Sequence, residues 1–324
     1  MLITADPVNI QHVFNSNFSN YNKGPEFKEM FDFLGNGIFT ADSKLWEDMR
    51  KSALRLAFDV TLTLVTGYDS NSLSIEMPMN EYAKAMDDAE EVVVYRHVKP
   101  MILWKLQNWI GVGEEKKMTE ANAAFDRSCE KDDNFHKDII KSFMLAGRDA
   151  IATTLIWFFW LLSKNPEAMT KIRQEINNTN LPSSGFSLDA DKLNKMVYLH
   201  GALCESLRLY APIPFERKSP IKQDMLPSGH KVDANWKILF SVYALGRMKA
   251  VWGEDASEFK PERWIYESNG GLKHEPSFKF FMKTVAVEII RNYNIKVVEG
   301  HKIEPSSSII LHMKHGLKVT VAKR

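Results

Sequence analysis

DIIKSFMLAGRDAIATTLIWFFWLLS, residues 138–163, is the stretch on which the reading of the rest depends. Charge sits in its front half, and residues 150–163 form 14 consecutive positions without a charge, bounded by Asp149 and Lys164. That run falls short of the roughly 20 apolar residues that a membrane-spanning helix needs. It is expected to be a helix buried in the core of a helical protein. The aromatic cluster Trp157-Phe158-Phe159-Trp160 then belongs to the core or to a pocket wall.

Downstream, Asn165-Pro166 supplies an N-cap side chain and a proline at the first helical position, opening a helix at PEAMTKIRQEI (166–176). After the loop LPSSGFS (181–187), helix is expected over 189–210. It stops at Pro212 and Pro214, which lack an N–H and clash with the preceding turn. The pattern then changes to strand, with 221–225 and 231–240 flanking the turn Pro227-Ser228-Gly229-His230 as a hairpin or a pair of edge strands. Residues 253–276 read as loop and 282–293 as helix. Alternation in SIILHM (308–313) and GLKVTVA (316–322) reads as strand.

Upstream, charged helix-favouring segments occupy 80–97 and 119–140, with Lys99-Pro100 and Gly111/Gly113 marking breaks between them. Leu45, Trp46 and Met49 fall at helical spacing behind Ser43, a good N-cap. Residues 1–40, including FNSNFSNYNKGPEF (14–27) and FDFLGNGIFT (31–40), are turn-rich and aromatic and are expected to form loops and short helices. The whole is mainly α with a minor β part, without an internal repeat.

Composition removes several function classes. Lys plus Arg number 42 against 41 for Asp plus Glu, giving a formal charge of +1, so no net field draws nucleic acid or an anionic membrane. No nucleic-acid partner is expected. Two cysteines, Cys129 and Cys204, make neither a disulfide framework nor a self-sufficient zinc site, and a reducing compartment is the default. His200/Cys204 and His312/His315 have helical spacings that a metal uses, but two ligands do not make a site. The start, MLITADPVNI, has no basic flank and reaches Asp6 before an apolar run develops, so no signal or anchor is read there. As written, the chain reads as soluble and cytoplasmic.

Four short patterns occur in order: Trp46-Glu-Asp-Met-Arg50, Ala146-Gly147-Arg148-Asp149, Glu205-Ser-Leu-Arg208 and Phe259-Lys-Pro-Glu-Arg263-Trp264. Each alone is weak. Glu-x-x-Arg by itself is a solvated ion pair worth roughly 0.2–0.5 kcal/mol. Together with CESLRLYAPIPFERKSP (204–220) and YALGRMKAVWGEDASEFKPERW (243–264), their order and spacing resemble the cytochrome P-450 family of haem-thiolate monooxygenases. Within it the chain is similar to plant members that hydroxylate fatty acids and long-chain alkanes. NFSNYNKGPEFKEMFD (17–32) and LWKLQNWIGVGEEKKMTEA (103–121) extend the resemblance over nearly the whole chain. Residues 1–324 are therefore expected to form a single, truncated cytochrome P-450-like domain.

By this resemblance Trp46 and Arg50 direct an indole N–H and a guanidinium at one haem propionate, both donors suited to a carboxylate. Ala146 and Gly147 leave room for oxygen and substrate on the haem's open face, and Asp149 serves proton delivery. The family's threonine directly after the acid is replaced by Ala150, and Thr153 and Thr154 lie about one helical turn further on. A charge at the edge of an apolar run is also what Asp149 would be without any such role. Glu205, Arg208 and Arg263 correspond to a buried triad that locks a helix to the following loop, where a stranded charge costs roughly 3–5 kcal/mol. Arg217 or Lys218 is a further cation able to face a propionate, although one just beyond a helix end is usually solvated.

The family's iron ligand is a cysteine thiolate whose electron donation favours O–O cleavage. It sits in a loop of the form Phe-x-x-Gly-x-Arg-x-Cys-x-Gly, after the Pro-Glu-Arg segment. Here EPSFKFF (275–281) passes straight into MKTVAVEIIRNY (282–293), so that loop is missing between Phe281 and Met282 and no metal ligand is assigned. Cys129 lies in a charged helical stretch, and Cys204 reads as a small buried hydrophobe. The text is also abrupt at 55–58 and 129–132, and the family's endoplasmic-reticulum anchor is not seen. The resemblance thus implies a haem monooxygenase for a small aliphatic substrate, with NADPH-cytochrome reductase as its partner, inactive as written. The alternative is a non-catalytic remnant, a splice or gene-model product, acting by binding or interaction.

Overall fold

The computed structural model describes residues 1–35, 39–42, 81–128, 149–179, 190–266, 270–273, 280–306 and 308–324. Trp46, Arg50, Ala146, Gly147 and Cys129, the helix start near Ser43 and the junctions at 55–58 and 129–132 lie outside these residues. The chain divides into two compact units. One comprises Met1–Arg148, Phe215–Phe240 and Ser307–Ile309, the other Asp149–Pro214, Ser241–Ser306 and Ile310–Arg324. Helices dominate and strands are short. Among the described residues, no helix is long and apolar enough to cross a membrane.

The first unit holds β1 (Leu2–Thr4), β2 (Tyr21–Asn22), β3 (Phe215–Pro220), β4 (Asp224–Met225), β5 (Lys231–Val232) and β6 (Ile238–Ser241). Its helices are α1 (Pro7–Gln11), α2 (Pro25–Met30), α3 (Glu81–Val98), α4 (Met101–Ile110) and α5 (Glu114–Ser128). The main sheet has the order β1-β6-β3-β2, β1 running parallel to β6 and β2 antiparallel to β3. Strands in the first forty residues were not expected, because the pairing partners lie some two hundred residues away and leave no local signal. Ile238 and Phe240 point inward at period 2 and join Val13, Tyr21, Leu226 and Val232 in one core.

The hairpin around Pro227-Ser228-Gly229-His230 is present but reduced to β4 and β5, closed by Leu226 N–H donating to His230 O at 2.9 Å. Asp224 anchors it: His12 Nε2 (2.8 Å), Asn17 Nδ2 (2.7 Å) and Tyr21 Oη (2.6 Å) all meet its Oδ2. Burial alone would raise this carboxyl, but bonds from Tyr21, His12, the Met225 amide and Asn17 prevail and hold it down at about 2. In the helical part, Arg96 of α3 binds Glu115 of α5 through Nε (2.9 Å) and Nη2 (2.8 Å), and its Nη1 donates to Met30 O (2.9 Å). One buried guanidinium thereby ties three helices. Gly111 ends α4 in the left-handed region, at φ 74°, which a glycine adopts without a Cβ penalty.

The second unit contains α6 (Ala150–Lys164), α7 (Pro166–Asn178), α8 (Ala190–Asn194), α9 (Val197–Leu209), α10 (Val242–Leu245), α11 (Lys249–Trp252) and α12 (Phe280–Asn292), then β7 (Tyr293–Val297) and β8 (Val319–Lys323). Its core gathers Phe158 and Leu162 of α6, Ile172 and Ile176 of α7, Leu199 and Leu203 of α9, and Met282, Ala286 and Ile290 of α12. The i, i+4, i+8 spacing of Ala168, Ile172 and Ile176 gives α7 one apolar stripe. α9 is different: Leu199 through Ser206 are all buried, as befits a helix covered on every side. Its first amides are satisfied by Glu175, which accepts from Tyr198 N and Leu199 N at 2.8 Å each.

Several expectations need correction here. Asn165 makes no side-chain cap for α7; its amide donates instead to Leu161 O at 2.8 Å, closing the end of α6. The helix expected over 189–210 breaks into α8 and α9 at Lys195-Met196, where Met196 N–H turns back to Leu193 O. SIILHM forms no strand. Its backbone is taken up elsewhere, Leu311 N–H by Pro212 O (2.8 Å) and Leu311 O by the Trp157 indole (2.7 Å). The loop expected over 253–276 contains a 3-10 turn at Pro261–Trp264. α12 begins at Phe280, before the expected Met282, and continues through Phe281 and Met282 as one helix.

Candidate functional site

Glu205 projects from the middle of α9, whose neighbouring positions are all buried, and its side chain is 0% exposed. A carboxylate there needs donors for every lone pair, or it costs several kcal/mol. They are supplied. Arg208, one turn on, gives Nε to Oε2 (2.8 Å) and Nη2 to Oε1 (2.6 Å), a forked pair. Arg263 Nε (3.2 Å) and Lys260 N (3.0 Å) also donate to Oε1, and the Trp264 indole to Oε2 (2.9 Å).

The arginines are satisfied in turn by carbonyls of the chain between α10 and the 3-10 turn. Arg208 Nη1 donates to Gly246 O and to Ala256 O, and Nη2 to Glu258 O (2.9 Å). Arg263 Nη1 donates to Trp252 O (2.8 Å), and its Nη2 pairs with Asp255 Oδ1 (2.6 Å). Hydrogen bonds from Lys260 and Arg263 pull the Asp255 carboxyl down to about 2. Two glycines make room: a Cβ on Gly201 would meet Pro261 O at 2.8 Å, and one on Gly246 would strike the Arg208 carbonyl. Glu205, Arg208 and Arg263 therefore form one contiguous polar cage that clips α9 to the 253–264 segment. Glu205 and Arg208 are buried at its centre, and the Arg263 side chain is 13% exposed at its edge.

A second polar group lies at the start of α6. Asp149 occupies the N-cap position and is 2% exposed; Thr153, one turn on, is 1% exposed. Thr153 Oγ1 lies 3.1 Å from His312 Nδ1, and a ring nitrogen of His312 lies within 4.8 Å of an Asp149 carboxylate oxygen. Thr154 turns back onto its own helix, donating to Ala150 O at 2.7 Å. Trp157 stacks on Tyr210 at 4.1 Å, and Trp160 meets the same ring edge-on at 5.5 Å. The aromatic cluster thus faces the end of α9. Sequence reasoning passed over His312 because it took the residue only as half of a two-histidine metal spacing. A single imidazole inside an otherwise apolar run was the available signal.

Arg217 and Lys218, expected to be solvated, are 6% and 7% exposed. The reason is β3, an interior strand whose two faces are both covered. Arg217 reaches Glu26 at 3.3 Å, and its buried Nε has no hydrogen-bond partner among the described residues. Lys218 places its ammonium 5.4 Å and 5.2 Å from the ring centres of Phe14 and Phe18, and burial pushes its pKa down.

These positions test whether a thiolate-held haem fits. Arg217 is a suitable partner for a carboxylate. Among the described residues the axial position is not provided. Cys204 is 3% exposed inside α9, between the fully buried Leu203 and Glu205, where a flat macrocycle has no face to approach. The described residues do not fit the group.

The cytochrome P450 family model matches residues 127–282. Alkane hydroxylase MAH1 of Arabidopsis thaliana is 46% identical over 427 residues, covering 100% of this chain and 84% of that protein. Noroxomaritidine synthase 2 of Narcissus pseudonarcissus is 36% identical, with 100% and 82% covered. Cytochrome P450 86B1 of Arabidopsis thaliana is 31% identical, with 99% and 77% covered. An alignment of 427 residues that uses all of a 324-residue chain carries its surplus inside the chain, not at its ends.

Proposed function

The chain belongs to the cytochrome P450 family, whose cofactor is haem, and from that premise we propose that it derives from a monooxygenase of long-chain alkanes or fatty acids and is itself inactive. The substrate class is supported by the relative named alkane hydroxylase, which aligns with the whole chain. The loss of activity is supported by one observation above all. α12 starts at Phe280 and runs unbroken through Phe281 and Met282, and the sequence between Arg263 and Met282 contains no cysteine. The two cysteines of the sequence lie elsewhere, at 129 and 204. The intact ancestor would draw electrons from NADPH-cytochrome reductase, and residues 1–324 are what remains of its single catalytic domain.

What survives is a folding apparatus. The Glu205 cage joins α9 to the 253–264 segment, and a helical core gathers around Phe158 and Ile290. The test is optical. Purified chain supplied with haem, reduced and treated with carbon monoxide, is expected to lack the red-shifted Soret band of a thiolate-bound iron. A band of that kind, lost on Cys204→Ser or Cys129→Ser, would overturn the reading.

A further inference from the structure

In the second unit, α7 and the β7–β8 pair bring two arginines to one surface. Arg173 follows Ile172, which is fully buried in the core that it shares with Ile290 of α12. That packing sets Arg173 beside the end of α12, where its Nη2 donates to Asn294 Oδ1 on β7 at 2.9 Å. Arg324 arrives from the other strand. The ladder pairs Asn294 with Ala322 and Tyr293 with Lys323, and one step on, Arg324 N–H donates to Asn292 O at 2.8 Å. Residues two apart on a strand share a face, so Arg324 lies diagonal to Asn294, on the face that carries the partner of Arg173.

Structure alone accounts for part of this. A cation near the last carbonyls of a helix is favoured by their partial charge, and Arg324 Nη1 lies 3.4 Å from Ile290 O. A guanidinium nevertheless carries five N–H donors, and each of these two finds a single acceptor among the described residues. Arg173 Nε is buried and has none there. Glu288, on the last turns of α12, is taken up by Asn292 Nδ2 at 2.6 Å and pairs with neither arginine. Burial, and then the charge of Arg324, push the Arg173 guanidinium below its ordinary range, and no carboxylate of the described residues offsets them.

We infer that Arg173 and Arg324 form a binding site for a phosphate dianion, free or carried on a small monoester. Two like charges held near each other in partly desolvated surroundings are matched by one doubly charged ligand, which relieves both. A carboxylate is a poorer match. Its single charge occupies the fork of one guanidinium and leaves the other unpaired. Phosphate oxygens accept from two guanidiniums at once, and Asn294, whose amide oxygen is held by Arg173, has its Nδ2 donors to add. The site uses no haem and does not depend on the monooxygenase descent proposed above.

The test uses the full chain and inorganic phosphate. Melting temperatures are compared in phosphate and in chloride at matched ionic strength and at about pH 8, where a phosphate group is dianionic. At about ten times Kd the phosphate is expected to raise the melting temperature by roughly 3–6 °C. Phosphate also stabilises proteins generally, by exclusion from their surface, so the variants carry the result. Arg173→Gln and Arg324→Gln are expected to lose the specific gain, while Lys302→Gln, an exposed cation paired with Glu304, keeps it. Phenyl phosphate separates the two sources: a gain equal to that from inorganic phosphate assigns the monoester class, and a smaller one assigns the free ion. Arg324 is exposed, so its variant decides the matter by itself if Arg173→Gln fails to fold. No gain over chloride in the parent, or an equal gain in Arg324→Gln, would overturn the inference.

Discussion

Replacing Glu205 with Gln changes one oxygen for an NH2 and almost no volume, so it isolates the charge at the centre of the cage. Oε1 accepts from Arg208 Nη2, Arg263 Nε and Lys260 N; Oε2 accepts from Arg208 Nε and the Trp264 indole. Whichever way the amide turns, its NH2 points at two or three donors, Arg208 loses its carboxylate partner, and Arg263 is left with Asp255 alone. Breaking a buried pair from one side costs roughly 3–5 kcal/mol. At about 2–4 °C per kcal/mol for a body of this size, the melting temperature falls by roughly 6–20 °C. The matching control is Glu254→Gln, which removes the exposed partner of Lys249, a contact of 2.6 Å with a side chain 88% exposed. Such surface pairs contribute about 0–1 kcal/mol. Thermal melts followed by near-ultraviolet circular dichroism are suited to the comparison, because Trp252 and Trp264 lie against the cage, their rings 5.8 Å apart. Equal melting temperatures for Glu205→Gln and the control would refute the view that this charge holds α9 in place.

Gly201→Ala is expected to destabilise by about 1–3 kcal/mol, since its Cβ overlaps Pro261 O and the backbone must move; a urea titration with an unchanged midpoint would contradict this. Asp224 gives a pH signature. Its folded pKa, about 2, lies below the ordinary 3.8, so its contribution is complete above pH 4 and is lost as pH falls towards 2. After discounting for solvent screening the loss is about 1–2 kcal/mol. Chemical denaturation at pH 5 and at pH 2.5 is expected to show this difference shrinking in Asp224→Asn, and an identical pH dependence in both proteins would remove the anchor from the account.

Local chemistry carried far in this chain. The run 150–163 reads as a core helix because it is apolar throughout, and α6 is that helix, with Trp157 and Phe158 buried. Proline at 166 and the breaks at Lys99-Pro100 and Gly111 act through φ alone and so are visible without a partner. Other features were opaque for an equally physical reason. FERKSP carries three charged residues in six and no alternation, yet it is β3, because β6 and β2 flank it on either side in the sheet. Asn165 had two helix ends within reach, and only the packed structure chose between them.

The sequence by itself determined the family, the helical class and the want of a cysteine between Arg263 and α12, since motif order and residue identity do not depend on folding. It also named Glu205, Arg208 and Arg263 as partners, but not the carbonyls of Gly246, Ala256 and Trp252 that complete their bonding. Tertiary structure alone decided that Arg217 and Lys218 are buried, that SIILHM is no strand, and that His312 meets Thr153 across 159 residues of chain. The physical reason is common to all three. Burial and hydrogen bonding are properties of neighbours in space, and residues this far apart in sequence leave no periodicity from which their meeting is read.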